Sequence, residues 1–264
     1  MRAVSGLVLI AVALVTARVG GPLFLITWIV ASAAIFWEWQ RLPGAAAMSR
    51  LVVGFVALVA AAIAAAADST LLALLILAVG AGVLAAIPAA DRLWAAAGLV
   101  YAGLLVVALV SLRSSFPFGS HAIIWLFATV WSTDVFAYFG GRLIGGPKIW
   151  PRVSPSKTWS GTLTGLAAGA LFGTWVVLRD PPAPTPMAPI FLLSLAAAAL
   201  SQVGDAFESA IKRHFGVKDS SNLIPGHGGV MDRLDGFIAA AVFAFVFGLI
   251  RAQTTVAGGL FYWP

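Results

Sequence analysis

Between Ser209 and Asp235 the chain reads SAIKRHFGVKDSSNLIPGHGGVMDRLD, which sets Lys212, Arg213, Lys218 and Arg233 among Asp219, Asp232 and Asp235, around the turn sequence Pro225-Gly226-His227-Gly228-Gly229. Cations beside clustered carboxylates and a glycine-rich turn suit a divalent metal carrying a phosphorylated ligand. Magnesium takes oxygen ligands and usually borrows some of them from substrate phosphates. Asp232 and Asp235 stand three apart at the opening of an apolar run, so on a helix they share one face. Asp205 follows Gln202-Val203-Gly204 at the end of the preceding run. A single aspartate here is equally well explained as a helix cap. Three carboxylates flanking one glycine turn favour a metal, so Asp205, Asp232 and Asp235 are the candidate ligands. Gly228 and Gly229 permit close approach of a ligand to the backbone, and successive N–H groups in such a turn can form an anion-binding nest. His227, between Gly226 and Gly228, is a candidate phosphate contact or acid. Lys212 and Arg213 are adjacent and cannot share a helix face. If Glu208 pairs with Lys212 four residues on, one cation remains for phosphate. Lys218 and Asp219 form either a local ion pair or a further phosphate contact.

A second polar stretch, Ser154-Pro155-Ser156-Lys157-Thr158-Trp159-Ser160-Gly161, precedes another apolar run. Lys157, with Ser154 and Thr158, is placed at a helix start, where donors and dipole favour anions. The alternative is a lysine snorkelling from the end of a span. Asp134, in Trp131-Ser132-Thr133-Asp134, lies inside an apolar run, and ionisable residues there usually face a wet cavity. Glu38, between Trp37 and Trp39, reads as an interfacial residue in an aromatic belt. Two nucleotide motifs are missing. The Gly141 to Gly146 stretch runs into Pro147 and fails as a P-loop, and no Gly-x-Gly-x-x-Gly follows a strand.

These residues are embedded in a chain that is 61% hydrophobic and only 10% charged, with a mean hydropathy of +1.00. Soluble domains carry roughly 25% charge, so lipid must be the solvent for most of this chain. The fold class expected is an all-α, polytopic integral membrane protein with its polar site at the cytoplasmic boundary. At about 20 apolar residues per crossing, nine spans are expected, near 3–18, 22–38, 51–67, 70–88, 93–112, 121–140, 159–178, 188–207 and 236–253. They form a single membrane domain over 1–264, with a signature loop at 201–235 and a second cytoplasmic loop at 141–161. The first span lacks a small-x-small cleavage site and reads as retained. With no cysteine, disulfides and thiolate metal sites are excluded. The net charge of +6 does not point to nucleic acid, because the basic residues are spread over short connections. Of the 16 lysines and arginines, the larger share falls in connections on one side: Arg41, Arg50, Arg92, Arg142, Lys148, Arg152, Lys157, Lys212, Arg213, Lys218 and Arg233. That side should be cytoplasmic, and it carries both polar loops. Pro181 to Pro186 reads as a stiff connection on the opposite side.

The motifs resemble those of the phosphatidate cytidylyltransferases, the CDP-diacylglycerol synthases. That family's signature runs Ser, two residues, Lys-Arg, four residues, Lys-Asp, a short gap, His-Gly-Gly and Asp-Arg-x-Asp. It is matched by Ser209, Lys212-Arg213, Lys218-Asp219, His227-Gly228-Gly229 and Asp232-Arg233-Leu234-Asp235. Its Ser-Pro-x-Lys-Thr-Trp-Glu-Gly element is matched over 154–161, except that Ser160 replaces the glutamate. Asp134 and Gly140-Gly141-Arg142 also have counterparts. The resemblance implies that CTP and phosphatidic acid react to give CDP-diacylglycerol and pyrophosphate. It implies Asp205, Asp232, Lys212, Arg213 and His227 as catalytic residues, with Asp205, Asp232 and Asp235 holding Mg2+ (Mn2+ being the alternative, and a second cation open). Lys157, Ser154, Thr158, Lys218, Asp219, Gly228, Gly229, Arg233 and Asp134 would contact substrates. Membrane lipids and a second copy of the chain are the other partners implied, in a bacterial-type inner membrane with the site facing the cytoplasm. A CTP-dependent polyprenol or phytol kinase is the nearest alternative, disfavoured by the complete signature. A transporter using Asp134 in an ion path is more remote.

Orientation is the expectation most directly open to test. In this cysteine-free chain, Ser156→Cys should be shielded from an impermeant thiol reagent added outside intact cells and labelled only after permeabilisation. Labelling from outside would reverse the orientation.

Overall fold

The computed structural model describes residues 2–44, 47–224, 226–252 and 254–263, with side chains from Gly6 onward. Its helices are α1 (Arg2–Val19), α2 (Gly21–Arg41), α3 (Met48–Ala66), α4 (Thr70–Ala86), α5 (Arg92–Ser114), α6 (Gly119–Leu143), α7 (Trp159–Arg179), α8 (Met187–His214), α9 (Met231–Arg251) and the short α10 (Gly258–Phe261). Every segment expected as a span is helical. Seven of them, α2, α3 and α5 to α9, are long and apolar enough to cross a bilayer, making this a multi-pass membrane protein. The apolar part of α1 over Gly6–Val19 and the 17-residue α4 are shorter, so the structure supports seven of the nine expected crossings. Two compact units are distinguished: residues 1–114 with 215–234, and 115–214 with 235–264.

In the first unit, α2 to α5 pack together and α1 packs on α2. Gly20, at φ 69°, breaks the chain between α1 and α2, and Pro22 supplies a preset φ in the first turn of α2. The last carbonyls of a helix lack intrahelical donors. Here Arg113 provides them, with Nε donating to Ala17 O at 2.7 Å and a terminal nitrogen to Arg18 O at 3.0 Å. The contact of α2 with α5 is reciprocal. Trp39 Nε1 donates to Trp94 O at 2.9 Å, Trp94 Nε1 donates to Trp39 O at 3.0 Å, and the rings stack at 4.3 Å. Gln40 adds a bond from Nε2 to Ala95 O at 2.9 Å. Arg50, at the start of α3, pairs with Asp91 at 2.7 Å.

In the second unit, α7 packs against α6 and α8. The reason is a stripe of buried glycines one turn apart along α7: Gly161, Gly165, Gly169 and Gly173. Small residues at this spacing let helix backbones approach closely in lipid, where no hydrophobic force drives association. A Cβ at Gly165 would stand 2.7 Å from Thr133 O, and one at Gly169 would strike Thr133 Oγ1 and stand 2.8 Å from Ala198 Cβ. Trp125 Nε1 donates to Ser194 Oγ at 2.9 Å, joining α6 to α8, and Phe127 stacks on Phe237 at 5.1 Å, joining α6 to α9.

Two local features differ from expectation. The connection after α6 contains a small antiparallel hairpin, β1 (Lys148–Trp150) with β2 (Ser154–Thr158), pairing Lys148 with Thr158 and Trp150 with Ser154. The eighth helix runs to His214 and not to about 207. Its last turn holds Lys212, Arg213 and His214, cations that suit the negative end of the helix dipole.

The glycine stripe gives a direct stability test. Gly169→Val should overpack the α6–α7–α8 contact and cost about 1–3 kcal/mol, seen as a lower thermal unfolding midpoint in detergent. Gly82→Val, where a Cβ meets nothing within 4 Å, should leave the midpoint unchanged.

Candidate active site

In the second unit the ionisable side chains come from four elements. Asp134 is on α6, Lys157 on β2, Asp205, Glu208 and Lys212 on α8, and Asp235 on α9. Thr158 caps α7, its side chain accepting the Gly161 N–H at 3.1 Å. The hairpin and this cap together fix Lys157 beside α8. Its Nζ lies 2.5 Å from Asp205 Oδ2 and 3.4 Å from Gln202 O. Asp205 also accepts from Ser209 Oγ at 3.3 Å. Ser154 opens β2 opposite Trp150. Ser160, standing where the resemblance leads to a glutamate, hydrogen-bonds to Gly145 O and Thr158 Oγ1. It therefore ties the hairpin connection to the start of α7, a local role that a hydroxyl fills.

Close helix approach sets the carboxylates. A Cβ at Gly204 would stand 2.7 Å from both Asp235 O and Ala239 Cβ, and one at Gly236 would stand 2.8 Å from Ser201 O. With α8 and α9 touching backbone to backbone, the next residues, Asp205 and Asp235, are brought near one another. Asp235 interacts electrostatically with Asp205, Asp134 and Lys212, and Asp134 with Asp205 and Lys157. Asp235 also accepts the Gly236 N–H at 2.7 Å. Three carboxylates in mutual repulsion have the charge and the hard oxygen donors that a divalent cation requires. Among the described residues no three acidic or histidine side chains converge to coordination distance. The oxygen donors are of the kind Mg2+ takes.

Lys212 pairs with Glu208 at 2.6 Å, with Glu208 only 1% exposed. This is the helix-face pair the spacing predicts. Its partner in the dipeptide, Arg213, is exposed.

The first unit contains the loop from 215 to 234. Lys218, Asp219 and Arg233 are exposed there. Ile224 N donates to Gly228 O and His227 N to Ile224 O, both at 2.9 Å, closing a tight turn with Gly226 and Gly228 at positive φ. Arg233 Nε donates to His227 O at 2.9 Å. Asp232 faces the loop: its carboxylate accepts Gly229 N–H at 2.7 Å, Ser220 N–H at 3.0 Å and Ser220 Oγ at 3.1 Å. A Cβ at Gly228 would lie 2.7 Å from Asp232 Oδ2. Asp205 and Asp235 thus belong to one unit, and Asp232 to the other.

Glu38 has a role that the sequence reading did not include. It is 0% exposed within the protein. Both its oxygens are engaged by the loop: Ser221 Oγ at 2.6 Å, Met231 N at 2.7 Å, Val230 N at 2.8 Å and Ser220 Oγ at 3.2 Å. The available signal was an acidic side chain in an otherwise apolar helix, which calls for buried partners. The flanking tryptophans pointed instead to the interface, yet Trp39 is itself 3% exposed.

Comparison with known proteins identifies the family. The chain is 42% identical to a protein named phosphatidate cytidylyltransferase from Brucella abortus, over 99% of this chain and 97% of that one. It is 39% identical to a protein of the same name from Rickettsia bellii, over 54% of this chain and 64% of that one. Against the Bacillus subtilis protein of that name it is 36% identical over 55% of this chain and 54% of that one. A family model described as the cytidylyltransferase family matches residues 1–250. With a match of that extent over the helices and loops that carry the polar groups, the chain belongs to the cytidylyltransferase family.

Proposed function

We propose that this protein is a phosphatidate cytidylyltransferase of a bacterial-type inner membrane. It would transfer the cytidylyl group of CTP to phosphatidic acid, releasing pyrophosphate, at a site facing the cytoplasm. The observation that carries the reading is the gathering of Asp134, Asp205 and Asp235 with Lys157 and Lys212 in a membrane chain. Relatives of that name match this chain over nearly its whole length.

A phosphate oxygen of phosphatidic acid attacks the α-phosphorus of CTP. A new P–O bond forms there, the bond from the α-phosphorus to the bridging oxygen breaks, and its electrons leave with pyrophosphate. The lipid phosphate is already an anion, so little general-base help is needed. The obstacle is repulsion between two polyanions, and fixed charge at the reacting phosphates is worth most in a site that excludes water. Lys157, held by Asp205, is aimed by its hairpin for such a role. Lys218, Arg233 and the Gly228-Gly229 turn are proposed phosphate contacts, with Arg213 a further exposed cation. Mg2+ held by Asp205 and Asp235 would supply Lewis-acid neutralisation of the triphosphate and the leaving group, and Asp232 is proposed as a ligand on the signature resemblance alone. A lipid entering from the leaflet and a nucleotide arriving from water both suit a polar site at the membrane boundary.

Purified protein given labelled CTP and phosphatidic acid with Mg2+ should form a CDP-lipid and pyrophosphate. Formation of CDP with a phosphorylated lipid alcohol would instead assign a kinase. Asp205→Asn and Asp232→Asn should remain in the membrane at normal levels while turnover falls about 10²–10³-fold, as expected for loss of an electrostatic contact to the transition state. Near-normal turnover of both at limiting Mg2+ would displace the metal site. Glu208→Gln should behave differently, because breaking a buried ion pair costs stability, of order 3 kcal/mol. Its thermal midpoint in detergent should drop, while turnover per folded molecule stays closer to that of the parent.

A further inference from the structure

Glu38 has no part in the chemistry above, yet both oxygens of its buried carboxylate are hydrogen-bonded by the loop. Its oxygens accept the Val230 and Met231 N–H groups and the Ser220 and Ser221 hydroxyls. Those partners lie at 220–221 and 230–231, on either side of the turn bearing His227. One side chain therefore cross-links the two flanks of that turn. The two N–H groups belong to the opening of α9, where helix donors ordinarily find a cap in the adjacent chain. Here the acceptor comes from 192 and 193 residues away.

Three further observations make this a positioning device. The strut that carries Glu38 is rigid, since the next two residues, Trp39 and Gln40, are bonded to Trp94 O and Ala95 O of α5. Ser220 Oγ lies within hydrogen-bond distance of both Glu38 Oε2 (3.2 Å) and Asp232 Oδ2 (3.1 Å). The serine thus bridges the buried carboxylate to the aspartate proposed for the metal. Finally, a Cβ at Gly229 would overlap Ser220 Oγ and come within 2.6 Å of Glu38 Oε1, so the glycine is required by this junction as well as by any ligand.

We propose that Glu38 is a positioning residue for the cytidylyl-transfer site: it holds residues 220–221 and 230–231 together around the His227 turn and, through Ser220, orients Asp232. The functional part of this inference rests on the reaction proposed above. The loop clamp itself does not.

The test uses the cysteine-free chain carrying Leu223→Cys, a residue 47% exposed on the loop, with a nitroxide attached and the protein in liposomes. Label mobility and turnover per folded molecule are read together. Glu38→Ala should mobilise the label and lower turnover by about 10²-fold, the scale a displacement of about 1 Å can cause. Glu38→Gln keeps the length and one acceptor oxygen, so it should lose less in both readouts. Ser221→Ala, which removes the 2.6 Å donor to Glu38 together with the acceptor of the Leu223 N–H, should mobilise the label partially and, read beside Glu38→Gln, serves if Glu38→Ala does not fold. A purely structural role would reduce the amount of folded protein and leave turnover per folded molecule unchanged, which would overturn positioning. An immobile label in both Glu38→Gln and Ser221→Ala would overturn the clamp, whatever the activity. If the labelled parent lacks cytidylyl transfer but the variants free the loop, the clamp stands and the proposed reaction fails.

Discussion

In hydrocarbon a carboxylate or an unpaired backbone N–H has no water to turn to, and each must find its partner inside the protein. Much of this structure follows from that demand at Glu38, a fully buried acid in an apolar helix. Its need for donors is met by the loop that precedes α9, and the loop's need for acceptors is met by Glu38 and Asp232. The donors that Glu38 takes all lie far from it in sequence. The acid fixes the loop, and the loop accounts for the acid. Behind both stands the Trp39–Trp94 pair, which holds α2 in register with α5.

The second unit answers the same demand by another route. Glycines on α7, α8 and α9 remove side chains where backbones meet, so polar groups can be held by geometry without long side chains filling the gap. Gly204 and Gly236 precede and follow the aspartates they bring near one another, Asp205 and Asp235. Lys157 is delivered by a hairpin and the Thr158 cap, elements too short to be spans and too polar to be core. The acids are not neutralised pairwise throughout. Lys157 faces Asp205 and Lys212 faces Glu208, while Asp134 and Asp235 lie near enough to interact electrostatically with Asp205 and with each other.

The replacement at Ser160 has a simple account in these terms. Its hydroxyl reaches Gly145 O and Thr158 Oγ1, so the position closes a turn beneath Lys157. Whatever a longer acid contributes elsewhere in the family, in this chain the hairpin is secured without it.

The sequence by itself determined the membrane class, the helical segments and the family. Composition forces lipid as solvent, an apolar run in lipid must be helical to satisfy its backbone, and the signature is a local string of residue types. It also determined the Glu208–Lys212 pair, because helix spacing alone puts residues four apart together. Crossing number was less legible, since α1 and α4 have the composition of spans but shorter apolar lengths than the other helices. Three things were decided only in three dimensions. Glu38 meets a loop 182 to 193 residues away, and no periodicity in α2 announces such a partner. The glycines of α7 read as ordinary members of an apolar run until Thr133 and Ala198 are seen against them. Asp134, Asp205 and Asp235 fall together only because three helices cross at glycine contacts. Local chemistry is written in neighbouring residues, whereas the placement of a buried charge depends on which distant donors the packing brings to it.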